Sequence, residues 1–273
     1  MGLKSIPLAA MILFSVSGCY LNGQTTSTSG ARQVEVTKKS NSLSVMVIFA
    51  HPDDETWISG TLAKLVANDV AVIPVYVTSG DAGSDYSGQN LSGAKLAQVR
   101  EKEAMTASQI LGLEPPHFLR FPDGKTHLHH QRIAELLSKI VTRKKPLAIF
   151  TFAEGGITDN RDHKTIHKLV SVHFSALVSY FAVSDSHAES LAISASKFGV
   201  DYRIAKPVKD ALVSIRIDVS PYKVKKIEAM ASHKTQFPPI MVKAYEEYAD
   251  SVPVEEMMTV NEDNLFTLLR RLK

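Results

Sequence analysis

The chain has one cysteine, so no disulfide can close within it. It has one tryptophan, and aromatic residues make up only 7% of the total. No basic stripe interleaved with aromatics marks a nucleic-acid surface. No charge of one sign dominates: the formal net charge is +3 over 273 residues, too mild to argue for a nucleic-acid partner. Two short basic runs, Arg143-Lys144-Lys145 and the stretch 223–226, read as solvated faces. No apolar run is long enough to span a bilayer comfortably. No internal repeat is visible, and no G-x-G-x-x-G follows the first strand, so no dinucleotide is implied. What remains is 44% apolar and 22% charged, an ordinary globular composition that can bury a sizeable core.

The place of the lone cysteine explains it. Lys4 lies in the first residues, an apolar run covers 6–16, and Val16-Ser17-Gly18-Cys19 follows. This stretch resembles the lipobox of bacterial lipoprotein signal peptides. The resemblance implies cleavage before Cys19, lipid on Cys19, and a membrane-anchored protein facing the periplasm. Tyr20 stands where an aspartate is associated with inner-membrane retention, which favours the outer membrane. Residues 19–42 are rich in Ser, Thr, Gly, Asn and Gln, a linker composition. The expected layout is therefore a leader at 1–18, a tether at 19–42 and a folded domain at 43–273.

From residue 43 onward, strand and helix patterns alternate. Strands are expected at 45–49, 70–77, 117–121 and 147–152, with helices at 57–67, 94–111 and 130–142 between them. That order predicts an α/β fold: a Rossmann-like open, mostly parallel sheet with helices on both faces. Pro74 inside the second strand suggests an edge or a bulge. Beyond 152, the helix beginning near Lys164 is expected to continue through 182. Strands are expected at 202–205 and 211–217, helix at 224–232, and mixed helical patterning from 241 to the end.

Two segments carry chemistry. The first strand runs into Ala50-His51-Pro52-Asp53-Asp54-Glu55, which places one histidine and two adjacent carboxylates between a strand end and a helix start. Ligands bind at such strand ends in open α/β sheets. One of two neighbouring aspartates can ligate a cation while the other takes a proton from water. The second segment follows the fourth strand: Gly155, Gly156, Asn160, Asp162 and His163, then a helix. His51, Asp54 and His163 would together supply two nitrogens and one oxygen, leaving a position for water. His163 and His167 share the i, i+4 spacing of zincins, but Lys164 stands where those enzymes carry a glutamate. His167, among Ile166, Leu169 and Val170, reads as a packed helix residue.

Residues 50–55 and 162–163 resemble the signatures of the LmbE-like, or PIG-L, family of zinc-dependent deacetylases. Weaker similarity lies in 99–104, 121–124 and 226–236. The resemblance implies an LmbE-like fold and a zinc (Zn2+) site of His51, Asp54 and His163. It implies Asp53 as general base and an N-acetylated amino sugar or glycoconjugate as substrate. Many family members carry a histidine, read as an oxyanion stabiliser, where this chain has Asn160. Asn160 can donate a hydrogen bond there but supplies no charge. His127, His129, His130 and His233 are the other candidates for that role. Two further functions fit the residues: a zinc amidohydrolase acting on another amide, and a catalytically silent, glycan-binding envelope lipoprotein. The anchor is testable in cells: labelled palmitate is expected to enter the wild type and not Cys19→Ser, and equal labelling removes the lipobox reading.

Overall fold

The computed structural model describes residues 43–259 and Leu268. Cys19, the expected leader and the tether lie outside the described residues. Strand β1 spans Ser44–Phe49 and is buried from its second residue onward, as an unbroken apolar run requires. The chain then alternates through α1 (Ser59–Ala67), β2 (Ala71–Thr78), α2 (Gly93–Leu111), β3 (His117–Phe121), α3 (His130–Lys144) and β4 (Ala148–Phe152). A single distorted turn α4 (Gly156–Asp159) precedes α5 (Arg161–His173), β5 (Val178–Ala182) and α6 (Asp185–Ser196). The described chain closes with β6 (Ile215–Asp218), α7 (Lys223–Ser232), α8 (Pro239–Ser251) and β7 (Val254–Thr259).

The seven strands lie in the order β3-β2-β1-β4-β5-β7-β6. The first five are parallel, and β7 runs antiparallel to both β5 and β6. The chain winds outward from β1 to β3, then returns past β1 to β4 and β5. Right-handed crossovers therefore put α1 and α2 on one face of the sheet, with α3 and α5 on the other. The reversal of winding lies between β1 and β4, and it opens a crevice at their C-terminal ends.

Four expectations are corrected. Pro74 lies in an interior strand, opposite Val47 on β1. The Val72 carbonyl accepts from Glu114 N on the β3 side (2.9 Å), and Pro74, two residues on, faces the same way. There it meets Pro115-Pro116, before β3 begins, where its missing N–H costs no ladder bond. The helix expected through 182 stops at His173, and Val178–Ala182 is β5. Residues 202–205 form no strand; the neighbouring Lys206 makes an isolated bridge to Ile157. The tail holds helix α8 and then strand β7, seated between β5 and β6.

Strand β7 is disguised by Glu255-Glu256, both buried in the fold. Glu255 accepts from Gly60 N (3.0 Å) and Thr61 N (2.7 Å) at the start of α1, and it pairs with buried Lys226 of α7. Glu256 accepts from Ser184 N (2.7 Å) and meets the Arg216 guanidinium at 3.0 Å. Buried carboxylates are tolerated when every oxygen is satisfied in this way.

Candidate active site

The turn after β1 is built around one carboxylate. Asp54 Oδ2 accepts from Ala50 N (3.0 Å) and His51 N (2.7 Å), which folds the chain back at the strand end. Thr78 on β2 fixes the same point by donating its N–H (2.8 Å) and hydroxyl (2.9 Å) to the Ala50 carbonyl. Asp53 is left with φ 111°, a conformation that strains a non-glycine residue. Glu55, fully buried, restrains it: its Oε2 accepts from Asp53 N (3.1 Å) and the Tyr76 hydroxyl (2.9 Å), while Oε1 meets His233 Nε2.

The second segment is held by a different device. Asn160 caps α5, its Oδ1 accepting from Asp162 N (2.7 Å) and His163 N (3.4 Å). His163 therefore sits in the first helical turn. Phe152 stacks on its ring at 4.1 Å, and its Nδ1 donates to the Gly156 carbonyl at 2.8 Å. Gly156 has φ 64°, and a Cβ there would lie 2.4 Å from His163 Cβ, so no other residue fits without displacing the histidine.

The two segments meet. Asp54 Oδ1 lies 3.0 Å from His163 Nε2, and His51 Nδ1 lies 3.1 Å from the same nitrogen. His51 Nε2 faces Asp123 Oδ1 at 3.1 Å and Asp162 Oδ2 at 3.5 Å. Each imidazole thus has an acceptor on its outer nitrogen, Gly156 O for His163 and Asp123 for His51. These partners assign the protons outward and turn both inner lone pairs toward the Asp54 carboxylate. Two lone pairs and a carboxylate, with donor atoms within 4.8 Å of one another, are a donor set for a divalent cation. The donor atoms of a second group, His51, Asp123 and Asp162, lie equally close together. Its carboxylates are already engaged, Asp162 by Gly124 N (2.7 Å) and the Thr126 hydroxyl (2.7 Å), and it offers no second imidazole.

The electrostatics follow. Without a cation, when the inner nitrogens carry protons in place of the lone pairs, burial raises the Asp54 pKa, but the His163 charge and hydrogen bonds from both imidazoles outweigh it and hold the carboxyl well below its usual range. Burial disfavours the His51 cation, yet its bonds to Asp123, Asp162 and Asp54 push its pKa well upward. Asp53 moves the other way: burial, then the charge of Asp54, raise it to about 8, against the opposing pull of His233, His51 and Arg100. Asp53 is only partly covered, so water tempers that shift.

A cavity of about 340 Å³ opens over the cluster, and Asp53 and Asn160 both line it. Asn160 is exposed, and with its oxygen spent on the cap, only its amide NH2 is free to face the cavity. Of the alternative histidines, His127, His129 and His130 lie outside the cavity lining, and His233 is buried behind Glu55. His167 binds the Phe152 carbonyl at 2.8 Å, a structural role. Three side chains gain meaning only in the fold. Asp123, read from sequence as part of a turn, orients His51; the signal available was a carboxylate just past a strand end. Arg100, buried on α2, donates to the Gly80 (2.9 Å) and Ser84 (2.8 Å) carbonyls and reaches the cavity. Glu103 accepts from Thr235 N (2.8 Å) and the Thr235 hydroxyl (2.6 Å), drawing the turn after α7 to the site.

The family model described as PIG-L, GlcNAc-PI de-N-acetylase, matches residues 46–174, the span that supplies all three inner donors. Over residues 46–174 the chain therefore resembles the PIG-L family. A 1D-myo-inositol 2-acetamido-2-deoxy-alpha-D-glucopyranoside deacetylase of Actinosynnema mirum is 27% identical over 232 residues, covering 70% of this chain and 80% of that protein. A diacetylchitobiose deacetylase of Thermococcus kodakarensis is 28% identical over 221 residues, covering 76% of this chain and 75% of that one. The solved N,N'-diacetylchitobiose deacetylase of Pyrococcus horikoshii shares the fold, with a TM-score of 0.59 at 22% identity over 83% of this chain and 86% of its own. The LmbE-like architecture expected from residues 50–55 is therefore present.

The raised Asp53 pKa has a consequence in chelator-treated protein. Between pH 4 and 8 the native state keeps a proton that the unfolded chain, with an ordinary carboxyl pKa near 3.8, has released. Native stability then falls as pH rises through that window. Urea unfolding should show this slope in the wild type and a flatter one in Asp53→Asn. Parallel slopes in the two proteins would mean that Asp53 is not perturbed.

Proposed function

We propose that this chain is a zinc-dependent hydrolase that removes the acetyl group from an N-acetylglucosamine-type sugar or glycoconjugate. The observation that carries the reading is the pair of inward lone pairs on His51 and His163, facing Asp54, with Asp53 beside them on the cavity wall. Two imidazoles and one carboxylate suit zinc, and they leave room for a further ligand. A bound zinc ion would supply water activation and carbonyl polarisation.

The chain's own residues do the rest. Asp53 takes the proton released by the attacking water; a cation nearby would lower its raised pKa and keep it ionised for that task. Asp53 then returns the proton to the departing nitrogen, so the acyl group leaves as a carboxylate and the sugar as a free amine. The Asn160 amide donates toward the oxygen on which charge develops. Arg100 and Asp123, on the cavity rim, offer a donor and an acceptor to sugar hydroxyls. The relatives that deacetylate amino sugars support this reading. The lipid anchor at Cys19 belongs to the same proposal, holding the domain at the envelope.

The purified zinc-loaded protein is expected to release acetate from N-acetylglucosamine or its oligomers, and to stop when a chelator is added. Asp53→Ala should retain zinc while losing about 10²–10⁴-fold in turnover, the range for a lost general base. Unchanged hydrolysis by that variant would remove Asp53 from the reaction.

A further inference from the structure

The cavity lining is uneven along the sheet order, although Tyr86, Met230, Phe237 and the phenol of Tyr202 also line it. Strands β2 and β3 lie on one side of the metal-ligand cluster. The segments that follow them supply Arg100, Asp123 and the backbone of Gly83 and Ser84. Strand β5 lies on the other side, and α6, which follows it, supplies Leu191 and Ala195. Helix α8 packs on α6 and adds Met241, Ala244 and Tyr245. Trp57, in the short helical turn after Asp53, completes the apolar side. Except for Trp57, this apolar wall comes from beyond residue 174, where the family match ends. The wall thus belongs to the C-terminal part of the domain.

An amide has two substituents, and the two halves sort them. An amino sugar carries hydroxyls around its ring, and each must find a partner when it leaves water. Leu191, Ala195 and Ala244 offer none, whereas Arg100 and Asp123 do. With the sugar on the polar half and the amide at the cluster, the acyl group points to the apolar half. An acetyl group brings a single methyl and leaves most of that wall without contact.

We propose that this chain removes straight acyl groups longer than acetyl, from butanoyl to octanoyl, with the alkyl chain lying between α6 and α8. The proposal rests on the hydrolase reading above and deepens it. The reaction is the same hydrolysis: water adds across the carbon–nitrogen bond, the acyl carbon leaves as the fatty carboxylate, and the nitrogen takes a proton.

The test uses the full-length, zinc-loaded protein and an N-acylglucosamine series from acetyl through butanoyl, hexanoyl and octanoyl to hexadecanoyl. Free glucosamine is the common readout. The kcat/KM is expected to rise by up to about fourfold per methylene through hexanoyl, the factor for burying a CH2, and to fall at hexadecanoyl. Ala195→Phe, which fills the wall, should reverse the order of hexanoyl and acetyl. Met241→Asn, at a half-buried position that accommodates a polar group, should lower the hexanoyl-to-acetyl ratio by about tenfold and serves if the first variant fails to fold. The octyl glycoside of N-acetylglucosamine, with its alkyl chain on the sugar side, should gain nothing over the methyl glycoside. A steady fall from acetyl onward, or a gain with the octyl glycoside, would overturn the proposal while leaving the deacetylase reading intact. No glucosamine from any substrate, acetyl included, would overturn both.

Discussion

Everything at this site depends on the two oxygens of Asp54 doing different work. Oδ2 takes the backbone N–H groups of Ala50 and His51, which shapes the turn at the end of β1. Oδ1 faces His163, brought from 109 residues further along the chain (163 − 54). The same carboxylate therefore folds one segment and meets the other. Its negative charge also raises the pKa of Asp53. Local structure, donor geometry and proton affinity are joined in one side chain, so the neighbouring aspartates cannot exchange roles.

The rest of the fold supports that carboxylate. The crevice exists because the sheet reverses its winding between β1 and β4. The partners of the two imidazoles, Asp123 and the Gly156 carbonyl, come from the ends of β3 and β4, on the same rim. The C-terminal part closes the structure from outside. Lys226 of α7 and Glu255 of β7 tie the start of α1, just after the motif, to the strand beside β6 at the end of the sheet. Such a buried pair stabilises little by itself, but breaking it would leave an uncompensated charge.

The parts legible in the sequence were those fixed by local pattern. The apolar run of β1, the turn at 50–55 and the histidine at the head of α5 all declare themselves within a few residues, and their roles follow from strand ends meeting on one rim. The parts not legible depend on distant partners. Glu255 and Glu256 look like surface residues until Gly60, Lys226, Ser184 and Arg216 are seen around them, so β7 was hidden inside a helical-looking tail. The apolar spacing through Ile166, Leu169, Val170, Phe174 and Leu177 suits a helix, and only the sheet shows that β5 begins at Val178. Asp123 and Arg100 looked like a turn and a charged helix face. Asn160, met as a replacement for a histidine, proves also to be the cap that sets His163 in place, a task its oxygen performs whether or not its amide touches substrate.

The central claim is that His51, Asp54 and His163 hold the ion, while Asp123 orients His51 from outside. X-ray absorption on the zinc-loaded protein tests it most directly. The account predicts two imidazole nitrogens and one carboxylate oxygen among the zinc ligands. It further predicts that His163→Ala loses this signature and that Asp123→Ala keeps it at lower affinity. A zinc site that survives His163→Ala but disappears in Asp123→Ala would place the ion between His51, Asp123 and Asp162, and would contradict the account.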